Sequence, residues 1–133
     1  MPRINPGDKA SRVTPITDHM IRTFAEISGD TNPIHLDDDY AATTRFGRRI
    51  AHGMIAAGLI SATIANDLPG PGTVYLSQSL KFRSPVFPDD TITTTVEVAS
   101  MRSDKPIATL STTCTNQNGA VVLEGEAVVL YTA

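Results

Sequence analysis

The sequence predicts an α+β protein in which a long antiparallel sheet curls around one central, apolar helix. Residues 54–65 are apolar on nearly every side of a helix, and such a helix has to be surrounded by other parts of a protein. From residue 74 onward, apolar and polar residues alternate with the period of two that is typical of strands. A chain of 133 residues has the length of one domain, so we expect a single domain over residues 1–133.

The composition indicates a folded protein that does not bind nucleic acid. Hydrophobic residues make up 41% of the chain and charged residues 19%, and the net charge of −3 argues against a basic binding face. Cys114 is the only cysteine, so no internal disulfide can form, and its strand-like surroundings favour a small buried side chain. Residues 1–7 lack the apolar core of a signal peptide, and residues 54–65 fall short of the ~20 that a membrane span needs. We therefore expect a cytoplasmic protein without membrane contact.

The first elements are a short strand and an amphipathic helix. Residues 8–14 have strand character, and Thr17 is a suitable N-cap for a helix that Gly29 would end. Four apolar residues recur at helical spacing and predict the buried face of this helix: Met20, Ile21, Phe24 and Ile27.

A loop and a short helix are predicted next. Residues 30–35 are expected to form a loop, because Pro33 lacks a backbone donor and disfavours helical angles in the preceding residue. The acidic residues 37–39 suit the first turn of a helix, which continues through Thr44 until Gly47 breaks it.

The second half supplies the sheet. Its strand-like runs cover residues 74–83, 91–98, 107–115 and 120–131. The last two runs meet across Asn-Gln-Asn-Gly at residues 116–119, which is typical of a hairpin turn. A run of twelve residues reaches ~40 Å, which is enough for a curved strand to cross a helix.

Asp30 and His35 lie five residues apart around a proline and form a candidate acid–base pair. A carboxylate and an imidazole beside an apolar pocket can act on one water, and such groups contribute about 10²–10⁴-fold to a rate. Each residue alone is more typical of a structural role: Asp30 in a turn near Asn32, and His35 as a packed loop histidine. The pair, combined with the His-Gly that follows at residues 52 and 53, favours catalysis.

Gly53 stands at the start of the apolar helix, where the first N–H groups have no partner within the helix. These donors can hold negative charge that develops on a carbonyl oxygen, and a glycine lets substrate touch the backbone. A purely steric need for glycine explains the residue equally well. His52 is expected to orient this turn rather than to catalyse.

The other polar candidates have simple structural explanations. Ser61 lies two helical turns beyond Gly53, and most helical serines bond a carbonyl one turn back. His35 and the acidic residues 37–39 could form a metal cluster, but three successive side chains on a helix point in different directions and a solvated helix start explains them, so we predict no metal site there. Five basic residues are candidates for the phosphates of a nucleotide-bearing carrier, although ordinary surface charge explains each of them as well: Arg45, Arg48, Arg49, Lys81 and Arg83.

Two segments together resemble the signature of the MaoC-like dehydratase family, and within it the (R)-specific enoyl-CoA hydratases. That signature resembles an aromatic-containing helix followed by Ser-Gly-Asp-x-Asn-Pro-x-His-x-Asp and then Phe-Gly-x-x-Ile-Ala-His-Gly-Met. The chain matches it in order and spacing at Phe24, Ser28, Gly29, Asp30, Asn32, Pro33, His35, Asp37, Phe46, Gly47 and residues 50–54.

The resemblance implies a hot-dog fold over the whole chain and an activity. That activity is the hydration of trans-2-enoyl-CoA to (R)-3-hydroxyacyl-CoA and its reverse, with no cofactor and no metal. Asp30 and His35 would be catalytic, the Gly53 amide would form the oxyanion hole, Ser61 would help to position the aspartate, and Asn32 would support them. The family also implies a homodimer joined edge to edge and a thioester of coenzyme A or acyl-carrier protein as substrate.

Two other functions stay open at this point. A thioesterase on the same fold would direct the water to the thioester carbon, but the imidazole beside Asp30 favours hydration. A non-catalytic acyl-CoA sensor, or the partner subunit of a heterodimeric dehydratase, would bind acyl-CoA without turnover; the intact pair argues against it. A single unit favours short or medium acyl chains, whose length would depend on side chains such as Leu59, Ile64 or Leu68.

Overall fold

The computed structural model describes residues 4–132 and contains one antiparallel sheet and four helices. Residues 1–3 and residue 133 lie outside the described residues. The prediction that residues 1–7 are not a signal peptide therefore falls partly outside them. The strands are β1 (Lys9–Pro15), β2 (Val74–Gln78), β3 (Lys81–Phe82), β4 (Thr91–Met101), β5 (Ile107–Thr115) and β6 (Val121–Leu130). The helices are α1 (Asp18–Ser28), α2 (Pro33–Leu36), α3 (Asp38–Ala42) and α4 (Gly53–Asn66).

The sheet has the order β1-β4-β5-β6-β2, with β3 pairing with β6 beside β2, and α4 packs against β4, β5 and β1. Alternate residues of β4 and β5 are buried, as their period of two predicts. These side chains pack on Ile55, Ile60 and Ile64 of α4 to form the core. Cys114 lies in this core, fully buried as predicted, and its burial raises the pKa of the thiol.

The sheet of one chain covers only one face of α4. On the opposite face Met54 keeps 52% of its surface exposed, and Gly58 and Ala65 are exposed as well. The enclosure that the apolar composition predicts is therefore partial within a single copy. Within residues 4–132, no helix has both the length and the apolar character needed to cross a membrane.

The predicted buried face of α1 is partly wrong. Ile21 is buried and Met20 and Phe24 pack against the core, whereas Ile27 is 77% exposed because it borders, with Met54, a cavity on the side of α4 that the sheet does not cover.

The capping signals of α1 and of the final hairpin are confirmed. The side chain of Thr17 accepts a hydrogen bond from the Met20 amide at 3.1 Å, and Gly29 ends the helix with a left-handed φ of 78°. In the hairpin, the Asn116 amide donates to Ala120 O at 2.9 Å, and Gly119 has a φ of 79°. A glycine is required at both positions because other residues rarely adopt such angles.

The predicted loop over residues 30–35 is partly wrong, because residues 33–36 form the short helix α2. Asn32 caps this helix by accepting from the Ile34 amide at 3.2 Å. Pro33 occupies the first helical position, where its missing N–H costs nothing. Proline therefore starts a helix here instead of preventing one, and it places His35 in the middle of that single turn.

The strand predicted over residues 74–83 is divided into β2 and β3. At the break, the Ser79 amide donates to Glu126 O at 2.8 Å, and its hydroxyl accepts from the Glu126 amide at 2.9 Å. The Ser79 backbone thereby crosses over Gly125, where a Cβ would overlap the Ser79 carbonyl oxygen and lie 2.7 Å from its carbon. This long-range crossing interrupts an otherwise regular alternation.

Candidate active site

Three side chains converge beside the start of α4. A carboxylate oxygen of Asp30, a ring nitrogen of His35 and a ring nitrogen of His52 all lie within 4.8 Å of one another. A water molecule at hydrogen-bonding distance, ~2.8 Å, from the first two fits this separation. The structure thus brings together the two residues that the sequence singles out as an acid–base pair.

His35 is held in one tautomer by the backbone. Its side chain is buried, and Nδ1 lies 2.8 Å from the carbonyl oxygen of Ile50. A carbonyl oxygen only accepts, so Nδ1 must carry the hydrogen. In the neutral imidazole this leaves a lone pair on Nε2, the nitrogen that can take a proton from water.

Asp30 is exposed and is held mainly through its backbone. Its amide donates to the hydroxyl of Ser28 at 3.1 Å, and its carbonyl accepts from His52 Nε2 at 2.9 Å. The side chain accepts one hydrogen bond, from the Asn32 amide to Oδ1 at 3.2 Å. Within the described part of the chain Oδ2 has no hydrogen-bond donor, so it is available to a water.

His52 links the two candidate catalytic residues. Its ring stacks on that of His35 with centroids 3.9 Å apart, and it lies 4.8 Å from the ring of Phe24. Since Nε2 donates to the Asp30 carbonyl, Nδ1 carries the lone pair in the neutral ring, and this buried atom has no partner among residues 4–132. The arrangement agrees with the orienting role expected for His52.

The same three side chains could also be considered as metal ligands. One nitrogen of each imidazole donates to a carbonyl oxygen, so each ring has one lone pair left for an ion. The rings are stacked with only 29° between their planes, so these two lone pairs lie in nearly parallel planes, which is a poor geometry for ligands of a single ion. The acidic residues 37–39 have the structural role expected of a helix start, since Asp37 Oδ1 accepts from the amides of Asp39 and Tyr40.

Gly53 opens both α4 and a cavity of about 500 Å³ that His35 also lines. The other walls are largely apolar and include Phe46, Phe82 and Val86. A Cβ on Gly53 would lie 2.7 Å from Cε1 of Phe82, so an aromatic ring already packs directly against the backbone here. Only glycine permits such a close approach at the helix N-terminus.

The basic candidates divide into two groups. Arg45 and Arg83 line this cavity, and Arg83 also forms an ion pair with Glu124. The other three are placed elsewhere: the guanidinium of Arg48 lies 3.9 Å from the centroid of the Phe87 ring, Lys81 is exposed on β3, and Arg49 is largely buried in a network of hydrogen bonds.

Ser61 lies in a second cavity, of about 530 Å³, whose walls include Phe24 and Tyr75. It is eight residues beyond Gly53, a rise of ~12 Å along the helix. Within residues 4–132 no hydrogen bond joins Ser61 to Asp30, so its positioning role stays a prediction. Of the residues expected to set acyl-chain length, Leu59 lines a third cavity, whereas Ile64 and Leu68 are buried in the core.

The groups that hold the pair in place are not visible in the sequence. The Ile50 carbonyl is a backbone atom and carries no residue-type signal. Arg49 occupies an unspecified position of the family signature, and nothing in the local pattern indicates that it contacts His35. The aromatic character of Phe82 was visible, but the packing of its ring on Gly53 depends on a contact between distant segments.

The chain is similar to several known proteins. A family model described as MaoC like domain matches residues 4–119. The chain is 50% identical over 130 residues to the (R)-specific enoyl-CoA hydratase of Rhodospirillum rubrum, covering 98% of this chain and 90% of that one. It is 52% identical over 109 residues to the protein of the same name from Aeromonas caviae, covering 82% and 81%.

Solved structures give the same result. The (R)-hydratase from A. caviae involved in PHA biosynthesis superposes with a TM-score of 0.93 at 48% identity, and the match covers 95% of this chain and 96% of that one. The hot-dog fold that the resemblance implies is therefore confirmed, together with the α+β class.

Proposed function

The chain belongs to the MaoC-like domain family, and on that premise we propose that it hydrates trans-2-enoyl-CoA to (R)-3-hydroxyacyl-CoA and catalyses the reverse dehydration. The observation that carries this proposal is the convergence of Asp30 and His35 within 4.8 Å, beside the N-terminus of α4. The similarity of the chain to (R)-specific enoyl-CoA hydratases supports the substrate class and the stereochemistry.

In the proposed mechanism one water is bound between Asp30 and His35. As the water oxygen bonds to C3 of the substrate, one of its protons moves to Nε2 of His35, which the Ile50 carbonyl keeps free to accept it. Asp30 accepts the second hydrogen of the water and orients it. The C2–C3 π electrons shift toward the thioester, and the imidazolium then returns a proton to C2. The sum is the addition of one water, which requires no redox step.

Gly53 supplies the electrostatic part of the proposed mechanism. Negative charge develops on the thioester oxygen as the π electrons shift, and a free N–H at a helix N-terminus stabilises such charge. The cavity that Gly53 and His35 share would hold the acyl group next to both. Arg45 and Arg83, which line it, remain our candidates for the phosphates of coenzyme A, whereas Arg48 and Lys81 do not line it.

A spectrophotometric assay with crotonyl-CoA, followed by chiral analysis of the product, tests the function. We expect loss of the enoyl absorbance and formation of the (R)-3-hydroxy product without release of free thiol. Release of free thiol would instead identify a thioesterase. Tight binding of acyl-CoA with neither reaction would indicate a sensor or a partner subunit, and either result would overturn the proposal.

Replacement of Gly53 by alanine tests the role of the helix start. We expect Gly53→Ala to lower kcat/KM for crotonyl-CoA by about tenfold or more, because the methyl group would lie 2.7 Å from the Phe82 ring and the resulting shift would misplace the N–H that must meet the thioester. The double variant Gly53→Ala/Phe82→Leu relieves the contact with the ring. It should recover part of the activity, because the start of α4 can then keep its position, and activity of the single variant within twofold of wild type would contradict the role.

We further propose that the protein works as a homodimer in the cytoplasm, joined through the edge of the sheet at β2. Val74, Tyr75 and Leu76 of this edge strand are 42%, 38% and 51% exposed. Tyr75 and Leu76 line the second cavity together with Met54, which lies on the uncovered face of α4. Exposed apolar edge strands invite pairing with another chain. A second copy would complete the enclosure that the composition of α4 predicts.

Light scattering after size exclusion tests the dimer. At micromolar concentration we expect twice the 14.2 kDa mass of the chain. Leu76→Asp should shift the protein toward monomer, because a buried carboxylate is costly at an apolar interface. The matched control Val13→Asp changes an equally apolar, 67% exposed residue on β1, the opposite edge, and should leave the dimer intact. A monomeric wild type, or dissociation by the control alone, would contradict this interface.

A further inference from the structure

The segment that leads into α4 forms three hydrogen bonds with α2, two of them to His35 and one to its neighbour Ile34. The Ile50 amide donates to the carbonyl of Ile34 at 3.2 Å, and the Ile50 carbonyl accepts from the His35 ring at 2.8 Å. The third contact comes from a side chain: Nη1 of Arg49 donates to the backbone carbonyl of His35 at 3.1 Å. Both the ring and the backbone of His35 are therefore fixed by two consecutive residues.

The guanidinium of Arg49 is also bound to two carboxylates on different helices. Nη1 lies 2.7 Å from Asp18 Oδ1 on α1, and Nε lies 2.7 Å from Asp38 Oδ1 on α3. The Arg49 side chain is only 13% exposed. The hydrogen bond from Arg49 is the main reason why the pKa of Asp18 lies below its usual range, so this carboxylate stays ionised as a partner.

α2 needs such support because it is a single turn. A helix of four residues has no stability of its own, and the carbonyls of its last turn lack partners within the helix. Arg49 supplies a charged donor to one of these carbonyls and connects it to the helices on both sides. The bonds also explain why Arg49 is poorly placed to bind a phosphate, since its donors already have acceptors inside the protein.

We propose that Arg49 is a positioning residue for the hydration reaction: it fixes the backbone of α2 so that Nε2 of His35 faces the water beside Asp30. This role differs from the substrate contact expected from the sequence, and it rests on the proposed function. A misplacement of about 1 Å at a reacting group can cost ~10²-fold in rate. Loss of the Arg49 hydrogen bonds therefore lowers the rate of the chemical step and leaves substrate binding largely intact.

The test compares Arg49→Met and Arg49→Lys with the matched control Arg22→Met. Arg22 also pairs with Asp18, at 2.8 Å, but it does not contact His35. With crotonyl-CoA we expect Arg49→Met to lower kcat by about tenfold or more while KM changes less than threefold. Arg49→Lys, which keeps a positive donor, should recover part of kcat, and Arg22→Met should stay within twofold of wild type.

Each other outcome overturns the inference. A raised KM with unchanged kcat would identify Arg49 as a substrate ligand, and a loss explained by the unfolded fraction in a thermal melt would identify a purely structural role. If Arg49→Met does not fold, Arg49→Lys must still lower kcat selectively. The NMR signals of the His35 ring supply a readout without turnover: they should shift in both Arg49 variants and not in Arg22→Met. An inactive wild type would refute the proposed function, whereas unshifted His35 signals in the Arg49 variants would refute the positioning role of Arg49.

Discussion

Asp30→Asn and His35→Ala are each expected to lower kcat for enoyl-CoA hydration by about 10²–10⁴-fold while the protein stays folded. The amide that replaces the Asp30 carboxylate would still accept from the Asn32 backbone N–H but would lose the negative charge that orients the water. The change at His35 removes the imidazole whose Nε2 takes the proton from the water in our mechanism. The measurement is steady-state hydration of crotonyl-CoA, with circular dichroism to verify the fold.

Matched controls exist for both changes. Asp39→Asn removes a carboxylate on α3, and His19→Ala removes an exposed histidine on α1. Neither residue belongs to the converging group, so both controls should retain activity within about twofold. Because Asp30 and His35 act on the same water, the double variant should be little worse than the more damaging single variant. Near wild-type hydration by either single variant would remove the mechanism.

The sequence predicts the sheet well where burial alone determines the pattern. β5 has the bounds that the alternation of apolar and polar residues predicts, residues 107–115, and the turn that follows is formed by the Asn-Gln-Asn-Gly of residues 116–119. Both signals are local: one depends on the period of a strand with one face in the core, and the other on residues that accept turn angles.

Where prediction fails, a contact between distant residues or a second use of a residue type is responsible. The break between β2 and β3 depends on Ser79 crossing Gly125, which lies far along the chain in β6, and no pattern within either segment indicates it. At Pro33 the presence of a proline predicts a loop, but the structure has the start of a helix. Proline prevents a helix from passing through it but favours one that starts there, and the cap at Asn32 decides between the two.

The candidate site divides in the same way. Asp30, His35 and Gly53 were identified because their side-chain chemistry, or lack of a side chain, is visible in the sequence. The groups that fix them were not identified, because they act through backbone carbonyls. His35 is oriented by the carbonyl of Ile50, and the Asp30 carbonyl is bound by the ring of His52. Any residue type could supply such a carbonyl, so only the fold reveals which one does.

The crossing of Ser79 over Gly125 also explains why position 125 requires a glycine, which no local sequence pattern indicates. Gly125 has no left-handed angle to demand glycine, and it lies within β6, where glycine normally weakens a strand. The demand is steric. On one side the Ser79 carbonyl occupies the place of a side chain, and the Ser79–Glu126 hydrogen bonds hold that carbonyl in position.

Gly125→Ala is therefore expected to lower the free energy of unfolding by about 3 kcal/mol, the upper end for an overpacked site, because a backbone carbonyl cannot rotate away as a side chain would. Urea denaturation followed by circular dichroism measures the change. Glu126→Ala is the matched control, since it alters the neighbouring exposed side chain, keeps both backbone bonds to Ser79 and adds no atoms at the crossing. It should cost less than about 1 kcal/mol. Equal stability of Gly125→Ala and wild type would show that the segment between β2 and β3 can move aside, and that the break in the strand does not depend on this contact.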